Sequence, residues 1–152
     1  MSSALKTMRF LSLLFVALAL APAMAHLLEL PNKIGMSREE YFVVQQVYLG
    51  WALLGIVVFG ALLSTLALAL MTRRRPGEFA PALTAFLCIA ATQAVFWSFT
   101  FPANQQTANW TILPEHWRTL RSEWEYSHAA SAVLNLVALV AVIISVLARR
   151  DR

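Results

Sequence analysis

Four stretches of the chain, Phe10 to Leu30, Val47 to Met71, Phe79 to Phe101 and His128 to Ala148, run almost without charge. Each reaches or approaches the roughly 20 apolar residues that cross a bilayer as a helix. Inside hydrocarbon a backbone amide finds no water, so each stretch must close its own hydrogen bonds as a helix. The pattern predicts an all-α fold, an integral membrane four-helix bundle forming one domain over residues 1–152. Its spans are expected at about 10–30, 47–71, 79–101 and 128–148, with longer loops at about 31–46 and 102–127 on one side. The first stretch has a second reading. Lys6 and Arg9 precede an apolar core, and Ala23-Met24-Ala25 matches a signal-peptide cleavage site. Its apolar character continues through His26, Leu27, Leu28 and Leu30, and that length favours a retained helix with Pro22 as a kink.

The polar positions between the runs refine the element ends. Ser37-Arg38-Glu39-Glu40 has the capping-box pattern, so the second helix is expected to start before the membrane, with Gln45, Gln46 and Tyr48 at its mouth. Pro76-Gly77 makes a tight turn, and Pro102 is expected to end or bend the third helix. Pro114 suits a first helical position with Glu115 in the first turn, so the fourth helix should begin there and run on into the membrane.

Composition agrees: 59% of the 152 residues are hydrophobic and only 13% are charged, against roughly a quarter charged in soluble domains. The net charge of +4 resolves into an orientation signal. Lys6, Arg9, Arg73, Arg74, Arg75, Arg149, Arg150 and Arg152 fall on one side. The other side has Lys33, Arg38, Arg118 and Arg121 with six acids, Glu29, Glu39, Glu40, Glu115, Glu123 and Glu125. Short cytoplasmic loops carry the Lys and Arg excess, which predicts both termini inside and residence in the cytoplasmic (inner or plasma) membrane. The basic residues then serve the lipid bilayer, and no nucleic-acid partner is expected. The lone Cys88, within an apolar run, permits no intramolecular disulfide and reads as a small core residue.

All three histidines (His26, His116, His128) and all five tryptophans (Trp51, Trp97, Trp110, Trp117, Trp124) map to the outer half. An aromatic belt explains part of this, but a belt ordinarily occupies both interfaces. Trp117, Arg121, Trp124 and His128 are spaced four, three and four residues apart and share a helix face, with Glu125 beside it. That face reads either as a solvated amphipathic turn or as the wall of a pocket, with Arg121 as partner for an anion or carbonyl. His26 and Glu29 lie at the same depth on the first helix. Ionisable groups at a membrane helix end must pair, snorkel or face a polar cavity.

An ion pair or hydrogen-bond cluster between helices one and four is the modest reading of these groups. A mononuclear transition-metal site of His26, Glu29, Glu125 and His128 is the sharper one, and no metal or other cofactor is assigned. The Glu125-x-x-His128 spacing also occurs in di-iron bundles, but helices two and three offer only Gln45, Gln46 and Gln93 where such bundles need glutamates. No phosphate loop, nucleophile elbow or paired-histidine protease motif is present. His128 could act as a general base tuned by Glu125 or Glu29, and Asn104 could bond a substrate oxygen or, more ordinarily, cap a loop.

Phe101-Pro102-Ala103-Asn104, followed by Trp117, Arg121, Trp124 and His128, resembles the signature of a bacterial and fungal membrane family that includes the anthrone oxygenases. The resemblance implies a four-helix membrane fold and, for members with an assigned activity, oxidation of polyketide anthrones without an evident metal or flavin. Ser131 stands where many relatives have arginine, and the segment His26 to Lys33 differs from the fungal enzymes. The leading expectation is a membrane protein whose outer pocket (His26, Glu29, Asn104, Trp117, Trp124, Glu125) binds an apolar or aromatic small molecule. The enzyme alternative is a cofactor-independent oxygenase with His128 as base, Arg121 stabilising an enolate or phenolate, and Trp117 and Trp124 stacking the ring. The third reading is an accessory subunit that packs on a membrane-protein partner or forms a homo-oligomer.

Overall fold

A computed structural model describes residues 2–148, leaving Arg149, Arg150 and Arg152 of the basic C-terminal cluster outside the described residues. The described chain is helical: α1 Ser3–Lys33, α2 Arg38–Gln45, short 3-10 turns at Gln46–Tyr48 and Trp51–Leu53, α3 Leu54–Thr72, α4 Pro76–Val95, a π segment Phe96–Thr100, α5 Phe101–Gln106 and α6 Trp117–Leu147. Four stretches are long and apolar enough to span a membrane: Ser3–Lys33, Trp51–Thr72, Pro76–Gln106 and Trp117–Leu147. α1 and α4 each pack against both α3 and α6, so the long helices close into a square bundle.

The bundle inverts the soluble pattern. Leu14, Leu18, Phe59, Leu63, Leu87, Val137 and Ile144 point outward, while Ala61, Ala69, Ala82, Ala85, Ala138 and Ala141 fill the interior. Lipid tails are as apolar as leucine, so helices gain by close approach of small residues instead of by burying large ones. α1 buries Leu5, Arg9, Ser12, Val16, Ala19, Ala23 and His26, alternating steps of four and three that keep one seam inward over its whole length. At Gly60 an added Cβ would stand 2.6 Å from the Phe15 ring, so this glycine is what lets α3 meet α1. Several interior hydroxyls bond their own helices, as Ser12 to the Met8 carbonyl at 2.8 Å and Thr65 to the Ala61 carbonyl at 2.7 Å.

Three helix ends differ from the sequence reading. The capping box forms, with the Ser37 hydroxyl accepting from the Glu40 amide and the Glu40 carboxylate accepting from the Ser37 amide, but the helix it starts does not continue into the membrane. Leu49 is extended and Gly50 takes φ 85°, a left-handed value that suits glycine, so α2 is a separate short helix. Pro102 does not end the third span. The Phe101 amide bonds the Phe96 carbonyl across a widened turn, which carries the helix past the missing proline donor as far as Gln106. Pro114 to His116 form a turn, closed by the Trp117 amide on the Pro114 carbonyl at 3.0 Å, and α6 begins at Trp117.

At the end bearing Arg73 to Arg75, the Arg9 guanidinium donates to Glu78 at 2.6 Å, and both side chains are nearly sealed from solvent. Arg75, about half exposed, approaches the other Glu78 oxygen at 3.5 Å, and the Ser145 hydroxyl donates to the Glu78 carbonyl at 2.6 Å. Arg9 is therefore a bundle component, joining α1 to α4. Stripping one partner from a buried pair leaves an uncompensated charge, so Arg9→Ala should destabilise the detergent-solubilised protein by roughly 3–5 kcal/mol. Arg75→Ala should cost less than about 1 kcal/mol. Equal shifts in thermal unfolding would show that the Arg9 contact is not the tie between the helices.

Candidate functional site

The opposite end, where α1 finishes and α6 starts, gathers most of the candidate residues around a cation that charge counting had assigned to a loop. Lys33 is buried in the last turn of α1, with its ammonium 3.2 Å from Glu29 and 3.2 Å from Glu125. The ammonium also donates to the Tyr48 hydroxyl at 2.7 Å, and Tyr48 in turn donates to Glu29. Tyr41, from α2, donates to the same Glu125 oxygen at 3.0 Å and accepts from the Gln45 amide. Glu125 is fully buried, and its second oxygen, Oε2, has no hydrogen-bond partner.

Against this network lies an aromatic wall. His26 and His128 stack with ring centroids 4.1 Å apart and planes 23° apart. Trp124 meets His128 edge-on at 4.2 Å and His26 at 5.0 Å, while Tyr48 and Trp51 close on His26 at 4.6 and 5.5 Å. The Lys33 ammonium sits 4.7 Å from the Tyr48 ring and 5.1 Å from the Trp124 ring, so the charged and aromatic halves share two walls. His26 Nδ1 is buried without a partner.

Arg121 and Asn104 do other work. The Arg121 guanidinium donates to the Met36 carbonyl at 2.8 Å and lies over the Trp117 ring at 4.7 Å and the Tyr41 ring at 5.4 Å. It clasps the turn before α2. Its seven-residue separation from His128 amounts to about 10 Å along the helix, whereas Lys33 shares the Tyr48 and Trp124 rings with the histidines. Asn104 Oδ1 accepts from two indoles, Trp124 at 2.9 Å and Trp110 at 3.2 Å. Among the described residues, no three His, Cys, Asp or Glu side chains are grouped as a metal ion would require. Between the two carboxylates of the expected metal set stands the Lys33 ammonium.

The Trp110 indole reaches Asn104 through an unusual turn. Ala108, Asn109 and Trp110 adopt φ values of 47°, 56° and 62°, three consecutive left-handed residues without a glycine. Such conformations cost roughly 1–2 kcal/mol each for side-chain-bearing residues. The turn is held by the Asn109 amide on the Asn104 carbonyl at 2.7 Å, the Trp110 amide on the Thr107 hydroxyl at 3.1 Å and Gln46 on the Trp110 carbonyl at 3.0 Å.

Lys33, Tyr41, Trp51 and Trp110 are the members that sequence reasoning missed, while Gln45 and Tyr48 had been placed near the mouth of the second helix. A cavity of about 570 Å³ lies elsewhere, on an apolar face of α4 and α6 lined by Ala80, Pro81, Thr84, Leu136, Val137 and Val140. No protein-family description, curated protein or solved structure matches the chain.

Burial, followed by the adjacent Glu125 carboxylate, pushes the Tyr41 phenol well above its ordinary value of 10.0. Burial and the bond to Glu29 do the same for Tyr48. A folded-state value above the unfolded one means that the unfolded chain loses these protons first. The stability tied to them is therefore complete below pH 10.0 and declines as pH rises past it. Thermal unfolding at stepped alkaline pH should show the decline, and Tyr41→Phe should flatten it. An equally steep decline in that variant would place its origin elsewhere. Ala108→Gly should raise stability by about 1 kcal/mol by relieving the left-handed strain, and a loss would mean that the alanine methyl is needed for packing.

Proposed function

We propose that the chain is a multi-pass protein of the cytoplasmic membrane, with both termini inside, that binds an apolar, ring-bearing small molecule at its outer aromatic end. Arg73, Arg74 and Arg75 at one end, and the surplus of glutamates at the other, support this orientation. The observation that carries the binding reading is the stacked His26–His128 pair walled by Tyr48, Trp51 and Trp124, in which His26 Nδ1 is buried with no partner. An unsatisfied polar atom among aromatic rings suits a ligand that is flat and carries a hydroxyl or carbonyl. The rings are in mutual contact, so a ligand stacks there by parting them.

Dihydroxyanthraquinone, a flat phenolic probe, should quench the tryptophan fluorescence of the detergent-solubilised chain saturably. His26→Ala and Trp124→Leu should each weaken its binding by roughly tenfold, about 1.4 kcal/mol. Saturable quenching unaltered in both variants would sink the proposed location, and no saturable quenching would sink the binding reading.

The histidine pair also favours a second reading, the cofactor-independent oxygenase. His128 would remove a proton from the anthrone methylene, and dioxygen would convert the methylene to a carbonyl with release of water. Oxygen uptake with dihydroxyanthrone, abolished in His128→Ala, is the expected result on that reading. Uptake unchanged in the variant would remove His128 as base. Stoichiometric co-purification of another membrane protein would instead favour the accessory-subunit reading.

A further inference from the structure

The network around Lys33 is continuous and has one end at the surface. Glu29 is the exposed member, with 44% of its side chain accessible. From there the contacts run to the Tyr48 hydroxyl, to the Lys33 ammonium at 2.7 Å and to Glu125 Oε1 at 3.2 Å. Glu125 is the innermost member, wholly buried, with Oε2 unpartnered. Each link is a group that can both give and receive a proton, and no apolar gap interrupts the series.

Charge points the same way. One ammonium between two carboxylates leaves a net negative charge that a single proton cancels, and an uncancelled charge away from water is costly. The titratable and charged groups that act on Glu125 are Lys33 and Glu29 from α1, Tyr41 from α2 and Tyr48 from the 3-10 turn, with Arg121 of α6 one contact further, beside Tyr41. Lys33 is the cation in contact with the Glu125 carboxyl, whereas the Arg121 guanidinium is engaged by the Met36 carbonyl.

We propose that Glu125 is a buried proton-carrying carboxyl that exchanges its proton with the solution through Lys33, Tyr48 and Glu29. In the outward transfer the Tyr48 hydroxyl proton passes to Glu29 as Lys33 gives a proton to the Tyr48 oxygen. The Glu125 carboxyl, after rotating its proton toward Lys33, restores the ammonium. One proton has then moved from Glu125 to Glu29, and Lys33 and Tyr48 end as they began. The path goes beyond the binding reading. Its existence does not require that a ligand binds.

The test is infrared spectroscopy of the full chain in phosphatidylcholine nanodiscs, without ligand, during exchange into heavy water. The wild type should show a protonated-carboxyl carbonyl band that shifts on deuteration and is absent in Glu125→Gln. Tyr48→Phe keeps the ring that packs on His26 and removes the hydroxyl relay, leaving Lys33 only its direct contact with Glu29 at 3.2 Å, and loss of that acid–base group should slow the shift by roughly a hundredfold. Glu29→Gln should slow it similarly, whereas Glu115→Gln should leave it unchanged. A missing carboxyl band, or exchange equally fast in the Tyr48 and Glu29 variants, would overturn the proposal. Because Tyr48→Phe is read on the Glu125 band itself, the result holds even if Glu125→Gln does not fold. Failure of dihydroxyanthraquinone to bind would count against the binding reading alone.

Discussion

An ammonium group removed from water survives only if its neighbours replace the hydration it has lost, and the aromatic end of this bundle is arranged around that requirement. Lys33 lies 3.2 Å from each of two carboxylates. At an effective dielectric constant of roughly 20, one such contact is worth about 5 kcal/mol, comparable with the several kcal/mol needed to desolvate each ion. Two carboxylates and a phenol oxygen complete the lysine's three donors. Because Glu125 belongs to α6 while Lys33 and Glu29 belong to α1, the same contacts fix the register of the first helix against the last.

The rest of that end follows from satisfying Glu125. Its Oε1 also accepts from Tyr41, which obliges α2 to lie across the bundle end, and Gln45 one turn later supports the Tyr41 hydroxyl. A helix continuing straight from Ser37 into the membrane would carry Tyr41 away, so the chain breaks at Leu49-Gly50 and α3 begins anew. On the other side, Asn104 must stand level with Trp124 to accept its indole proton. The π segment supplies that placement by carrying the helix through Pro102, and the Thr100 hydroxyl meets Ser127 of α6 at 2.7 Å where it ends. The strained turn at 108–110 then returns Trp110 to the same acceptor.

The long helices were legible because hydrocarbon leaves the backbone one solution, and a run such as Leu54 to Met71 admits no other reading. The stripe at Trp117, Arg121, Trp124 and His128 was legible by period, although its members divide between two tasks, a clasp by Arg121 and a ring wall by Trp124 and His128. What escaped was decided by tertiary contact. Lys33 looks like a loop charge after Pro31, and nothing nearby in sequence reveals that Glu125, over ninety positions away, will bury it. Glu78 adjoins a proline-glycine turn and reads as a surface acid until Arg9 is seen against it. The turn at Ala108 to Trp110 contains no glycine to announce left-handed backbone.

The two ends of the bundle solve the buried-charge problem with opposite balances. At one, the Glu78 carboxylate is approached by two guanidiniums, and one of these, on Arg75, reaches solvent, so the positive surplus is hydrated at little cost. At the other, two carboxylates share one ammonium, and the carboxylate that reaches solvent, Glu29, is not the one most deeply buried. The excess charge therefore cannot be hydrated in place at Glu125. It can be met by a proton or by a donor group on a ligand, and both would act at the same unpartnered oxygen. Stacked histidines and an indole adjoin that end of the cluster, whereas the interior nearer the Arg9–Glu78 pair is chiefly small apolar residues and self-bonded hydroxyls. A charged, aromatic end and close packing elsewhere are thus two results of one asymmetry, the distribution of acids and arginines along the chain.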